Sequence, residues 1–170
     1  MAIWWRTRIG NSGLASVVLG ALVYFAAAGI PAAQATSKSD LIFWRDESTG
    51  YAIGGFDPVA YFVDTRPRMG VRDYEYDWHG VTWRFVSAAN RAVFVRDPTV
   101  YAPQYGGYGA ESVAQGVLAA GSPAEWLIYQ DRLFLFANTR QRDKWLTQID
   151  SRRRAASRNW PRINGALVRN

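Results

Sequence analysis

The sequence predicts an α+β fold: a small antiparallel sheet from two β-hairpins, with short helices packed on it and a basic helix at the C-terminal end. Three observations carry that expectation. Residues 74–85 and 126–136 place strand-forming residues about two-residue turn signals, capping residues precede short helical stretches, and positions 138–170 hold nine basic residues against two acidic ones. With 170 residues, 49% hydrophobic and 15% aromatic, the chain has apolar material for one packed domain plus appendages.

The N-terminal stretch has a positive start at Arg6 and Arg8, an uncharged apolar run from Leu14 to Ile30, and the small-residue pattern Ala33-Gln34-Ala35. That is the layout of a secretory signal peptide, residues 1–35, cut after Ala35. The alternative is an uncleaved anchor, since residues 9–37 carry no charge and exceed the roughly 20 residues that a spanning helix needs. Either way the expected location is outside the cytoplasm: exported to the periplasm, or held at the inner membrane by residues 9–37.

Residues 36–49 read as a linker. From Tyr51 to Phe62, the paired Gly54-Gly55 and the Asp57-Pro58 turn signal predict two short extended pieces. The first hairpin turns at His79-Gly80, so that Trp78 faces Val81, Tyr76 faces Trp83 and Tyr74 faces Phe85 on an apolar side. Glu75 then meets Arg84, and Asp77 meets Thr82, on a polar side; a one-residue slip would exchange the two. Ser87 caps a helix over 88–96 with Ala89, Val93 and Phe94 on one stripe. Pro98 stops it and opens a second short helix through Tyr101. After the loop Tyr105-Gly106-Gly107-Tyr108-Gly109 comes a helix within 110–118. The second hairpin turns at Gln130-Asp131. Trp126, Ile128, Leu133 and Leu135 fall on one face and Leu127, Tyr129, Phe134 and Phe136 on the other, so this ribbon is expected to be sandwiched. Asn138 caps a helix that continues through Arg154 until Trp160-Pro161 ends it. No internal repeat is visible.

Several chemistries are excluded or unsupported. Without cysteine there is no disulfide, thiolate metal site or thiol redox centre. There is no Gly-x-Ser-x-Gly elbow, and the glycine loop lacks the lysine and hydroxyl of a phosphate-binding P-loop. Charge is uneven: Arg6 and Arg8 give +2 over residues 1–35, nine basic and twelve acidic residues give −3 over 36–137, and nine basic against two acidic give +7 over 138–170. A basic tail on an exported chain fits an anionic membrane surface, and no nucleic-acid partner is expected.

Gly54-Gly55-Phe56-Asp57-Pro58-Val59-Ala60-Tyr61, Trp83-Arg84-Phe85-Val86-Ser87, Asp97-Pro98 to Tyr101, and Gln104-Tyr105-Gly106-Gly107-Tyr108 together resemble the YHS domain family. With Val113-Ala114-Gln115-Gly116 and Asn159-Trp160-Pro161, the chain is similar to the exported bacterial branch described as YHS domain-containing (seleno)proteins. The resemblance covers residues 50–161 and leaves 162–170 as a tail. It implies metal handling, often beside copper transporters, through cysteines at three places that here hold Ala60, Val86 and Asn90. In the narrower branch a cysteine or selenocysteine commonly follows Gly-Gly-Tyr, where this chain has Gly109.

With those groups gone, the expected function is a non-catalytic binding or accessory module for a small molecule or a protein partner. Its candidate ligand-binding residues are Asp57, Tyr105, Gly106, Gly107 and Tyr108: glycines admit a ligand to backbone N–H groups, and tyrosines give an amphipathic wall. A second reading is a copper- or zinc-binding protein using oxygen ligands and His79, the sole histidine. A weaker third is an enzyme using carboxylate and tyrosine chemistry around Asp57 and Tyr108. No cofactor is identified by the sequence.

Overall fold

The computed structural model describes residues 41–169, all of which fall in one compact unit. The predicted signal or anchor segment lies outside the described residues. Among those described, no helix is long and apolar enough to cross a membrane.

The fold is α+β. Strand β1 (Val71–Trp78) pairs antiparallel with β2 (Val81–Phe85), with Tyr76 facing Trp83, Trp78 facing Val81 and Glu75 facing Arg84. His79 and Gly80 have φ of 52° and 72°, the left-handed pair that a twisted two-residue turn requires. Beyond Glu75 the register shifts, so Val71 rather than Tyr74 faces Phe85. The cause is local: the Gly70 N–H donates to Gly55 O at 2.9 Å, drawing the chain across β2 so closely that a Cβ on Gly70 would lie 2.5 Å from the Arg84 carbonyl carbon. Strands β3 (Ser122–Tyr129) and β4 (Arg132–Phe136) form the second ribbon, turning at Gln130-Asp131. The ribbons are two separate two-stranded sheets rather than one.

The second ribbon is sandwiched as its two apolar faces predict. Trp126, Ile128, Leu133 and Leu135 join a core with Tyr61, Trp83, Phe85 and Phe94. Leu127, Tyr129, Phe134 and Phe136 face a second core with Val113, Trp145, Ala156 and Ile163.

The helices differ from expectation in three places. Of the two extended pieces expected in 51–62 only isolated β-bridges at Tyr51, Ala52 and Phe56 form, and a 3-10 turn at Ile53–Gly55 precedes α1 (Ala60–Val63). Asp57 decides this by accepting N–H groups of the first turn. Helices α2 (Ala88–Arg96), capped by Ser87, and α3 (Pro98–Tyr101) form as predicted, though Ala89 is exposed and Phe94 carries the α2 contact with the core. A 3-10 turn at Gln104–Gly107 leads to α4 (Ala110–Ala114). The predicted long C-terminal helix is broken at Gln148 (φ −147°, ψ 44°) into α5 (Thr139–Thr147) and α6 (Ile149–Leu167). Trp160-Pro161 does not end α6, which runs on through the proline. A proline inside a helix costs about 3 kcal/mol. Beyond it, however, Ile163 and Asn164 are buried, and Asn164 Oδ1 accepts the Ile42 N–H at 3.0 Å, so tertiary contact holds the last turns.

The structure also contains a repeat that the sequence conceals. Residues 53–97 and 105–148 follow one plan. Gly70 N donates to Gly55 O, as Gly121 N does to Gly107 O; Asp57 N donates to Arg68 O, as Gly109 N does to Ala119 O. Val71 pairs with Phe85 ahead of a register shift, as Ser122 does with Phe136. Ser87 and Asn138 both accept from the N–H three residues on, and Phe94 and Trp145 are the fully buried residues of their helices. Asp97 and Gln148 share a cap conformation, after which α3 stays short and α6 extends.

Candidate functional site

Asp57 is fully buried. Oδ1 accepts from Val59 N (2.8 Å) and Ala60 N (3.3 Å), and Oδ2 from Val86 N (2.9 Å) and Asn90 Nδ2 (2.7 Å). Four donors fill the acceptor positions of a carboxylate, leaving none for a substrate proton. The same residue ties α1, the end of β2 and α2 together. Beside it, Tyr61 is buried and donates to Pro123 O at 2.9 Å. Burial, reinforced by the Asp57 charge, pushes the Tyr61 phenol far above its ordinary value.

Tyr105 and Tyr108 line different cavities, and Asp57 lines neither. Tyr105, held at φ 55°, has its hydroxyl 3.3 Å from Ser157 Oγ and 3.4 Å from Arg153 O. Burial raises its phenol pKa, partly opposed by Ser157 and the Arg153 charge. The ring borders a cavity of about 270 Å³ whose apolar wall is Leu41, Phe43, Trp78, Ala102, Trp160 and Pro161; Gln104 and Ser157 supply polar atoms. This is the aromatic concavity that a small ligand needs. Trp160 stands 6.0 Å from the Tyr105 ring, and Phe43 5.1 Å from Trp78.

Gly106 and Gly107 approach the chain itself. A Cβ at Gly106 would lie 2.1 Å from Ile42 O, and Gly106 O accepts the Trp44 N–H at 2.7 Å, so the glycine clasps the segment 41–44. Gly107, at φ 82°, faces Pro103 and Ile53. The glycine loop thus shapes the cavity both directly, with Gly106 in its lining, and through the clasped segment that carries Leu41 and Phe43; Gly107 is not part of the lining.

Tyr108 is half-buried, with its phenol pKa raised by burial, and borders a broader opening of about 770 Å³ with Trp44, Asp46, Glu47 and His79. The His79 ring packs on Trp78 at 4.5 Å and Phe43 at 5.9 Å. Asp46 Oδ1 is engaged by Ser48 and Thr49. Among the described residues no three of the His, Asp and Glu side chains converge as a metal centre would.

Two features escaped sequence reasoning. One is Trp160, whose wall position follows from the continuation of α6. The other is Glu111, fully buried, with Oε1 taking Gln115 Nε2 (2.7 Å), Lys144 Nζ (3.0 Å) and Arg152 (3.5 Å) while the buried Oε2 has no hydrogen bond. This ion cluster joins α4, α5 and α6. Its sequence signal is an acid one turn before Gln115 in a short helix of small and apolar residues.

No family model matches the chain, and no curated protein or solved structure matches it either.

Proposed function

We propose that this chain is an exported YHS-like binding module without catalytic chemistry of its own. Its ligand is a small, largely apolar molecule taken into the cavity walled by Phe43, Trp78, Tyr105 and Trp160. The observation that carries this reading is a contrast: the Asp57 carboxylate is closed by four donors, whereas the aromatic cavity beside Tyr105 is open and lined for burial of an apolar surface. Export rests on the N-terminal sequence pattern.

The family resemblance draws support from Asp57. Ala60, Val86 and Asn90, the three positions that carry cysteine in metal-type members, each donate a hydrogen to this one carboxylate. Residues that converge on one point suit a ligand cluster. Here the amides close on a side chain instead, with no soft ligand among them.

The test is a calorimetric titration of the full chain with indole, a probe of matching shape and polarity. Saturable binding weakened at least tenfold by Trp160→Ala, and far less by His79→Ala, whose ring backs the Phe43 and Trp78 walls without lining the cavity, is expected. Micromolar copper or zinc binding that disappears in His79→Ala, with no indole binding, overturns the reading in favour of metal handling.

A further inference from the structure

Helix α6 carries Arg154, Arg158 and Arg162 at successive i, i+4 positions, and Arg169 follows its last turn. At 100° per residue the three helical arginines fall within an arc of about 80°, so they form one ridge. All four are exposed, and none takes part in an ion pair among the described residues. The contrast with Lys144 and Arg152, which are bound to Glu111, and with Arg153, 3.8 Å from Asp150, is sharp. No carboxylate of the described residues neutralises this ridge, and apart from the Arg162 contact with Gly116 O its charge is left to an external anion.

Apolar side chains flank the ridge. Val117 and Leu118, in the turn after α4, are 54% and 41% exposed and border a groove with Arg162, Ala166 and Leu167. Val168, 47% exposed, lies at the end of α6. Arg162 reaches back to Gly116 O at 3.5 Å, fixing this turn against the helix. Arginines beside exposed aliphatic residues are the composition of a helix that lies in a headgroup layer: guanidinium groups meet lipid phosphates, and the aliphatic side chains enter the acyl boundary. A single-stranded nucleic acid calls for exposed rings on which bases stack, and this face offers aliphatic residues instead.

We infer that the Arg154–Arg158–Arg162 ridge of α6, with Val117, Leu118 and Val168, is a docking face for an anionic lipid bilayer. This is a surface distinct from the ligand cavity of the proposed function. The chain has no cysteine, so Leu118→Cys in the full chain takes a single environment-sensitive fluorophore. Vesicles of phosphatidylglycerol and phosphatidylcholine at 3:7 are compared with pure phosphatidylcholine. The N-terminal apolar stretch is common to every variant, so the readout is the ratio of the two affinities together with the probe's emission. Expected are tighter binding to the anionic vesicles and a blue shift of the probe. Each arginine contributes roughly fivefold, so the Arg154→Gln/Arg158→Gln/Arg162→Gln variant loses about a hundredfold and its ratio approaches one. These side chains are exposed, and unchanged circular dichroism serves as the folding control. An equal ratio for the wild type, an unshifted probe on bound protein, an unaffected triple variant, or saturable binding to an oligonucleotide without vesicle binding each overturns the inference.

Discussion

Asp57 decides more of the first half of the domain than any other side chain, because its two oxygens gather donors from three separate segments. Removing it leaves buried N–H groups unpaired. Asp57→Ala is therefore expected to destabilise the fold by about 3–5 kcal/mol in urea unfolding; a loss below about 1 kcal/mol would show that the network is dispensable. Two buried tyrosines give the domain an alkaline limit. Tyr61 and Tyr105 have folded pKa values above their ordinary 10.0 because burial disfavours the phenolate. At pH above about 10 the unfolded chain releases protons that the folded chain keeps, so the stability these groups confer is complete below that pH and falls as pH rises. Tyrosinate absorbance and circular dichroism should show these phenols ionising together with unfolding. Tyr61→Phe should reduce the pH dependence while costing about 1 kcal/mol for the lost bond to Pro123 O.

Among the elements, α6 shows most clearly how packing overrides local preference. Pro161 lacks the N–H that an interior helical position donates, yet the helix continues because Ile163 and Asn164 beyond it are buried. Pro161→Ala restores the missing donor at an exposed site and is expected to raise stability by about 1 kcal/mol or more, read from the urea midpoint. The glycine loop depends on close backbone contact. Gly106→Ala would drive a Cβ into Ile42 O at a position with φ of 63°, so the 41–44 segment must detach. Loss of indole binding with most of the folded dichroism retained is the expected result, since Phe43 forms one wall of the cavity. The helix starts were readable in advance from Ser87 and Asn138, whose side chains do accept the expected N–H groups. The extended reading of 51–62 holds only for the bridges at Tyr51, Ala52 and Phe56, because Asp57-Pro58 is equally a turn signal and a helix cap, and only burial of the carboxylate separates the two.

For the molecule as a whole, the two halves share a plan, and the second half also completes the core of the first. The first core draws Trp126, Ile128, Leu133 and Leu135 from the second ribbon, whose opposite face supplies Phe134 and Phe136 to the other core. One ribbon thus closes both cores, and a fragment ending at Tyr101 should fail to fold, giving a dispersionless amide NMR spectrum. The repeat was invisible in the sequence because its matching parts are backbone hydrogen bonds and caps, which Ser87 and Asn138, or Asp57 and Gly109, reach with different residues. Of the candidate site, Tyr105 is legible in the sequence as a tyrosine beside paired glycines, whereas the Phe43, Trp78 and Trp160 walls come from segments distant in the chain. By itself the sequence determined the α+β class, the hairpin turns, the inner register of both ribbons, the caps and the absence of thiol chemistry. Each of these is written in neighbouring residues through periodicity, φ preference or hydrogen-bonding side chains. Only the tertiary structure decided that Asp57 is closed, that α6 passes its proline and that the cavity lies beside Tyr105. Those outcomes depend on which distant donors and apolar surfaces meet, a long-range matter that no local pattern encodes.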